Sequence, residues 1–156
     1  MAQAGVSTLG IRFSYGVETS AGEKPATFTV LNRINSIGGI TIEPETIDAS
    51  ALEDLVERSV AGRGTTGGTF PVGINITDET IDEWEELIST YQDLAPGLRM
   101  WFQISSPYLT NAYFVAGQPP LQIPMPDFGQ NELLVAELPI TIDEYVGMNA
   151  KVVPNA

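Results

Sequence analysis

Hydrophobic and polar positions alternate in short runs along most of this chain, and one stretch alone carries a long helical stripe. Ile11, Phe13 and Tyr15 alternate as a short strand does. They sit within a small, polar, Gly-punctuated segment, Met1 to Lys24, that reads as a loosely anchored N-terminal arm. Past Pro25, Phe28, Val30 and Asn32 fall on one face of a predicted strand and Thr27, Thr29 and Leu31 on the other. Gly38-Gly39 breaks the pattern, and Ile40 and Ile42 resume it until Pro44. Phe70, Val72, Ile74 and Ile76 then alternate with Pro71, Gly73 and Asn75, which predicts a strand with one buried face.

The helical stripe follows. Thr77 or Asp78 is placed to cap it, and acidic residues in the first turn suit the positive end of the helix dipole. Ile81, Trp84, Leu87, Ile88 and Tyr91 share one face, so a helix over about residues 78–93 packs that stripe onto a sheet, with Trp84 as its anchor. Ala95-Pro96-Gly97 ends it. Leu98–Ser105 and Ala112–Gly117 read as a hairpin, and four prolines between Gln118 and Gly129 predict an extended surface loop or edge. From Glu132 to Asp143 a last strand sets Leu134, Ala136, Leu138, Ile140 and Ile142 on one face, with Pro139 marking an edge or bulge. Residues 144–156 read as a C-terminal arm lying over the surface or onto a neighbour.

Between the strands, residues 43–69 form a long arm. Asp48 to Arg58 is either a short helix, since Leu52, Leu55 and Val56 keep helical spacing, or an irregular loop; the pattern does not choose. Gly62 to Gly68 reads as a flexible tip. GRGTTGG is no phosphate-cradling loop, because it lacks the Lys-Ser/Thr pair and opens no helix.

Composition narrows the chemistry. The 156 residues fit one domain, mainly β: a β-sandwich flanked by one α-helix. Neither cysteine nor histidine is present, which removes thiolate metal sites, thiol nucleophiles and the commonest general base together. No catalytic, cofactor or metal residue is therefore expected, and an enzyme is not. Seven basic against 20 acidic residues leave a net charge of −13, which disfavours phosphate-backbone binding. The N-terminus lacks a basic and apolar leader pattern, and no apolar run approaches the roughly 18 residues of a membrane span. A soluble protein made in a cytoplasm is expected.

The order of elements, together with Ile42-Glu43, the run Thr46-Ile47-Asp48-Ala49-Ser50-Ala51-Leu52-Glu53-Asp54, Val60-Ala61-Gly62, Gly67-Gly68 and Phe70, resembles the major tail tube proteins of long, non-contractile-tailed bacteriophages. These belong to a wider superfamily that includes type VI secretion tubes. The resemblance spans about Thr27 to Asp143. Its motifs are loose, with Ser50 where Thr is usual and Ala61 where proline is frequent. It implies six copies closing into a ring through an inner β-barrel, rings stacked into a tube, and DNA passing through the lumen without specific binding. It also implies an inter-subunit arm that includes Thr46, Asp48, Ser50, Leu52, Arg58, Arg63, Gly64, Gly67 and Gly68. The implied partners are further copies of the chain, the tape measure, the tail terminator and the tail tip, and the implied location is the virion.

A different class also fits the residues: a monomeric β-sandwich binding module for carbohydrate or capsid decoration. There Trp101, Phe102, Tyr108, Tyr113 and Phe114 would stack on sugar rings. An acid/base hydrolase needs paired carboxylates, and nothing in the sequence pairs them.

Overall fold

A computed structural model describes residues 5, 7, 9–41, 43–48, 51, 56, 59–65 and 68–154, with the backbone alone described over 43–48 and 59–65. The fold is mainly β. The elements run β1 (Arg12–Val17), β2 (Thr29–Leu31), β3 (Ile34–Ile37), β4 (Glu43–Asp48), β5 (Ser59–Thr65), β6 (Thr69–Asn75), α1 (Asp78–Gln92), β7 (Met100–Ser105), β8 (Asn111–Gln118) and β9 (Val135–Ala150). Seven strands form one antiparallel sheet in the order β2-β1-β7-β8-β9-β6-β3, and β4 and β5 form a separate two-stranded sheet.

The sheet is curled. β2 and β3 lie at opposite edges, yet only Asn32 and Arg33 join them. Three Cα steps of 3.8 Å reach about 11 Å at most, whereas six strand spacings in a flat sheet amount to roughly 29 Å. The two edges therefore meet at this corner, which gives the sandwich-like section. Arg33 turns the chain with a left-handed φ of 57°, and its carbonyl accepts from Asn75 N–H at 3.0 Å. The strand predicted through 26–34 is thus two strands on two edges, and its faces are reassigned. Phe28 and Leu31 are both buried, in different clusters, while Val30 is half-buried.

Inside the curl lies the main core. It combines Phe13 and Leu31 with Phe70, Val72 and Ile74 of β6, Met100 and Phe102 of β7, and Ala136, Leu138 and Ile140 of β9. Trp84, Leu87 and Ile88 of α1 enter it as the stripe predicts, and Tyr91 packs on its border; Ile81 is only half-buried, and Thr80 takes a fully buried position beside it. Phe13 stacks between Trp84 and Phe102, with centroids at 6.3 and 5.5 Å. Thr77 caps the helix through a reciprocal box with Thr80, whose hydroxyl also reaches the Asn75 carbonyl at 2.9 Å. A smaller cluster of Phe28, Trp101, Ala112, Phe114 and Ala116 covers the other face. β7 is consequently buried on both sides.

Two expected arms are partly sheet. β1 pairs with β2 and with β7 along its whole length, so residues 12–17 are an interior strand and not a loose arm. Its sequence looked weak because Ser14 and Gly16 occupy the second face; Gly16 has no room for a Cβ against the Thr27 carbonyl. β9 likewise continues through residues 144–150, pairing β6 with its first half and β8 with its second. Register shifts at Phe114/Val115 and Ala116/Gly117 let it change partner. Pro139 sits where β8 has already ended, opposite Pro71, so its missing N–H faces no strand, while Pro71 faces the end of β3, where its carbonyl accepts from Gly38 N–H at 2.8 Å and the return bond is absent.

Candidate functional site

Among the described residues, the features outside the paired interior of the main sheet are the β4–β5 hairpin, the two sheet edges and a groove beside β3. β4 leaves shortly after β3 and β5 returns just before β6, so the hairpin is an insertion between the last two strands at that edge. Its register is Glu43↔Thr65, Pro44↔Gly64, Thr46↔Ala61, Ile47↔Val60 and Asp48↔Ser59. Thr46 and Asp48 therefore lie on the outgoing strand, and Arg63 and Gly64 on the returning one. The Gly-rich stretch is not the tip: Arg63 and Gly64 belong to the paired base, and the turn lies between Asp48 and Ser59. Periodicity misses this because glycine and threonine carry no apolar alternation, and the pairing is supplied across the hairpin. Gly68 opens β6 at φ 90° and its carbonyl accepts from Ile142 N–H at 2.7 Å. Ser50, Leu52, Arg58 and Gly67, and most of the 48–58 stretch left open between helix and loop, fall outside the described residues.

A groove of about 880 Å³ lies against β3 and the residues that follow it, with residues 9–11 before β1 and positions on β6, β7, β8 and β9 completing its lining. Ile34, Ile37 and Ile40 form one wall, and Ile104, Tyr113 and Tyr145 face them. Among the described residues no charged side chain lines it. Burial, with Tyr113 beside it, raises the Tyr145 hydroxyl above its ordinary value. The described lining of the groove is mostly apolar and aromatic, with Asn35 and Ser36 as its polar side chains besides the two tyrosine hydroxyls.

The C-terminal segment is strapped down in cis. Gln103, fully buried, donates from Nε2 to the Val152 carbonyl at 2.8 Å, and its Oε1 accepts from Val152 N–H at 2.9 Å. Lys24 Nζ donates to the Ala150 carbonyl at 2.9 Å, and Lys151 Nζ to that of Ser106 at 2.8 Å.

Sequence reasoning missed one ionic group. Glu18, with its side chain fully buried, accepts from Arg99 N–H at 2.8 Å and from the Trp101 indole at 2.9 Å, and pairs with the Arg99 guanidinium at 3.3 Å. Arg99 also meets Glu144 at 2.7 Å. Burial pushes the Glu18 carboxyl up, but the indole, amide and guanidinium bonds outweigh it and hold it below the usual range. The partners lie 81 to 83 residues away in sequence, so no local motif marks them. This group ties the end of β1 to the start of β7 and to β9.

Of the aromatic residues considered for sugar stacking, Trp101, Phe102 and Phe114 are core, and Tyr108 and Tyr113 alone are exposed. Among the described residues no three Asp or Glu side chains gather as a metal site requires, and no helix is long and apolar enough to cross a membrane.

A scan against protein-family models finds no match, and a search of curated proteins finds none either. Solved structures do match. One is a chain in the cryo-EM structure of an extracellular contractile injection system, PVC sheath/tube terminator in extended state. It agrees with a TM-score of 0.59 over 96% of this chain and 100% of that chain, at 15% identity. Another belongs to the cryo-EM structure of the anti-feeding prophage (AFP) baseplate, 6-fold symmetrised, with a TM-score of 0.54 over 96% of both chains at 12% identity. At these identities the likeness is one of fold: the chain shares the fold of tail-like injection-system components and is not tied to non-contractile tails in particular.

Proposed function

We propose that this chain is a structural, non-enzymatic subunit of a phage-tail-like particle, a tube or terminator component that packs against copies of itself and against other tail proteins. The observation that carries the reading is the β4–β5 hairpin. Two strands paired only with each other are marginally stable in water, so an inserted hairpin of this kind is an element that needs a neighbour. Its placement supports a role in contacts between subunits for Thr46, Asp48, Arg63, Gly64 and Gly68, and the same role is proposed for Ser50, Leu52, Arg58 and Gly67 from their sequence positions alone. The shared fold with two injection-system chains, one from a sixfold-symmetrised assembly, supports a ring of six.

In that ring the open edges at β2 and β3 would be covered by neighbours instead of being left to aggregate. Each copy brings a charge of −13, so a lumen lined by part of that acidity would repel passing DNA over a Debye length of about 8 Å. Negative-stain microscopy and light scattering of the purified chain test this. Rings or stacked tubes are expected; a persistent monomer at micromolar concentration, with no particles, would refute the reading.

A further inference from the structure

The proline-rich loop between β8 and β9 is anchored on one side and bare on the other. Ile123 packs against the main core, while Leu121, Met125 and Phe128 are 79%, 84% and 70% exposed. Isolated exposed apolar residues are ordinary, but here three lie on one short loop whose prolines at 119, 120, 124 and 126 restrict its backbone. The same molecule carries a hole: the groove walled by Ile34, Ile37, Tyr113 and Tyr145, with no charged side chain among its described lining residues.

We propose that the groove takes the proline-rich loop of a second copy of this chain. The proposal deepens the ring-forming reading and rests on its premise that copies touch. Three observations select this occupant. First, the loop does not fill the groove of its own chain: none of residues 119–134 lines it. The loop departs from Gln118, five residues of β8 and roughly 17 Å beyond Tyr113.

Second, electrostatics restrict where two such acidic chains can meet. The described lining of the groove has no charged residue, and residues 119–131 hold one, Asp127. Apposing these two patches brings the fewest like charges together in a chain of net −13. Third, prolines pre-set an extended backbone, and extended proline-rich segments dock into aromatic-lined grooves at low entropic cost. Tyr113 and Tyr145 supply the aromatic wall. Loop and groove are different surfaces, so the contact is head-to-tail and generates a closed ring or a filament, not an isolated pair.

The chain has no cysteine of its own, so the contact can be read covalently. Phe128→Cys and Tyr113→Cys chains, both altered at exposed positions, are mixed in equal amounts and oxidised mildly. The expected result is a 113–128 heterodimer in excess over the statistical mixture, and the Phe128→Ser chain should self-associate about tenfold more weakly or worse. A statistical mixture would overturn the docking. So would cross-linking that arises only after residues 1–8 are deleted, since the chain's own start would then be the occupant. Rings that form without the 113–128 cross-link leave the ring reading standing and overturn this contact alone. A persistent monomer overturns both.

Discussion

Glu18 shows what one side chain can hold. Its carboxylate gathers the Arg99 amide, the Arg99 guanidinium and the Trp101 indole, and through Arg99 it reaches Glu144 on β9. A carboxyl held below its unfolded value stabilises the fold above that value and ceases to do so as pH falls through the folded one. Stability should therefore decline in acid below the ordinary 4.5. Glu18→Gln should cost about 1.5–3 kcal/mol at neutral pH and flatten the acid limb, as read from denaturant melts at several pH values. Trp84 makes a different point, because its indole N–H is buried without a partner among the described residues. Trp84→Ala should cost about 3–5 kcal/mol. Trp84→Phe should cost clearly less, since it removes an unsatisfied donor worth about 1–3 kcal/mol along with part of the ring. Equal losses for the two variants would mean that the N–H has a partner.

Among the elements, the hairpin is the separable one. Glu43 and Thr65 face each other at its base, and paired Cα atoms lie about 4.5–5.5 Å apart, so a short Gly-Ser linker can replace residues 44–64. Loop-closure entropy changes slowly with length, and the core residues among those described all come from other elements. The shortened chain should melt near the parent and fail to form rings or tubes; normal assembly would rule out the arm's role. Deleting Arg63 to Gly68 is a poorer experiment. It removes part of β5 and the Gly68 carbonyl that receives Ile142, so it damages the sheet together with the arm.

At the scale of the molecule, assembly sets apolar contacts against like charge. Copies at −13 repel one another, and the screening length falls from about 30 Å at 0.01 M salt to about 3 Å at 1 M. Rings should become more abundant across that range by light scattering. Loss of assembly with rising salt would show that ion pairs, and not the groove and loop, hold the copies together.

Much of this fold was legible in the chain, and the reason is local physics. The stripe of Trp84, Leu87 and Ile88, the capping threonine, the Phe70–Ile74 alternation, the 98–117 hairpin and the inward face of Ala136, Leu138 and Ile140 each depend on neighbours within a few residues. The absence of cysteine and histidine was equally direct in what it removed. What needed the tertiary structure was long-range pairing. β1 becomes an interior strand only because β2 and β7 bracket it. The 26–34 strand splits because Arg33 adopts a conformation that its side chain does not advertise. The Gly-rich segment is the base of a hairpin only because β4 runs beside it. The groove exists because residues 9–11, β3 and positions on β6, β7, β8 and β9, far apart in sequence, are brought together only when the sheet curls. Periodicity records which face of an element is apolar; which element that face meets is settled when the sheet closes.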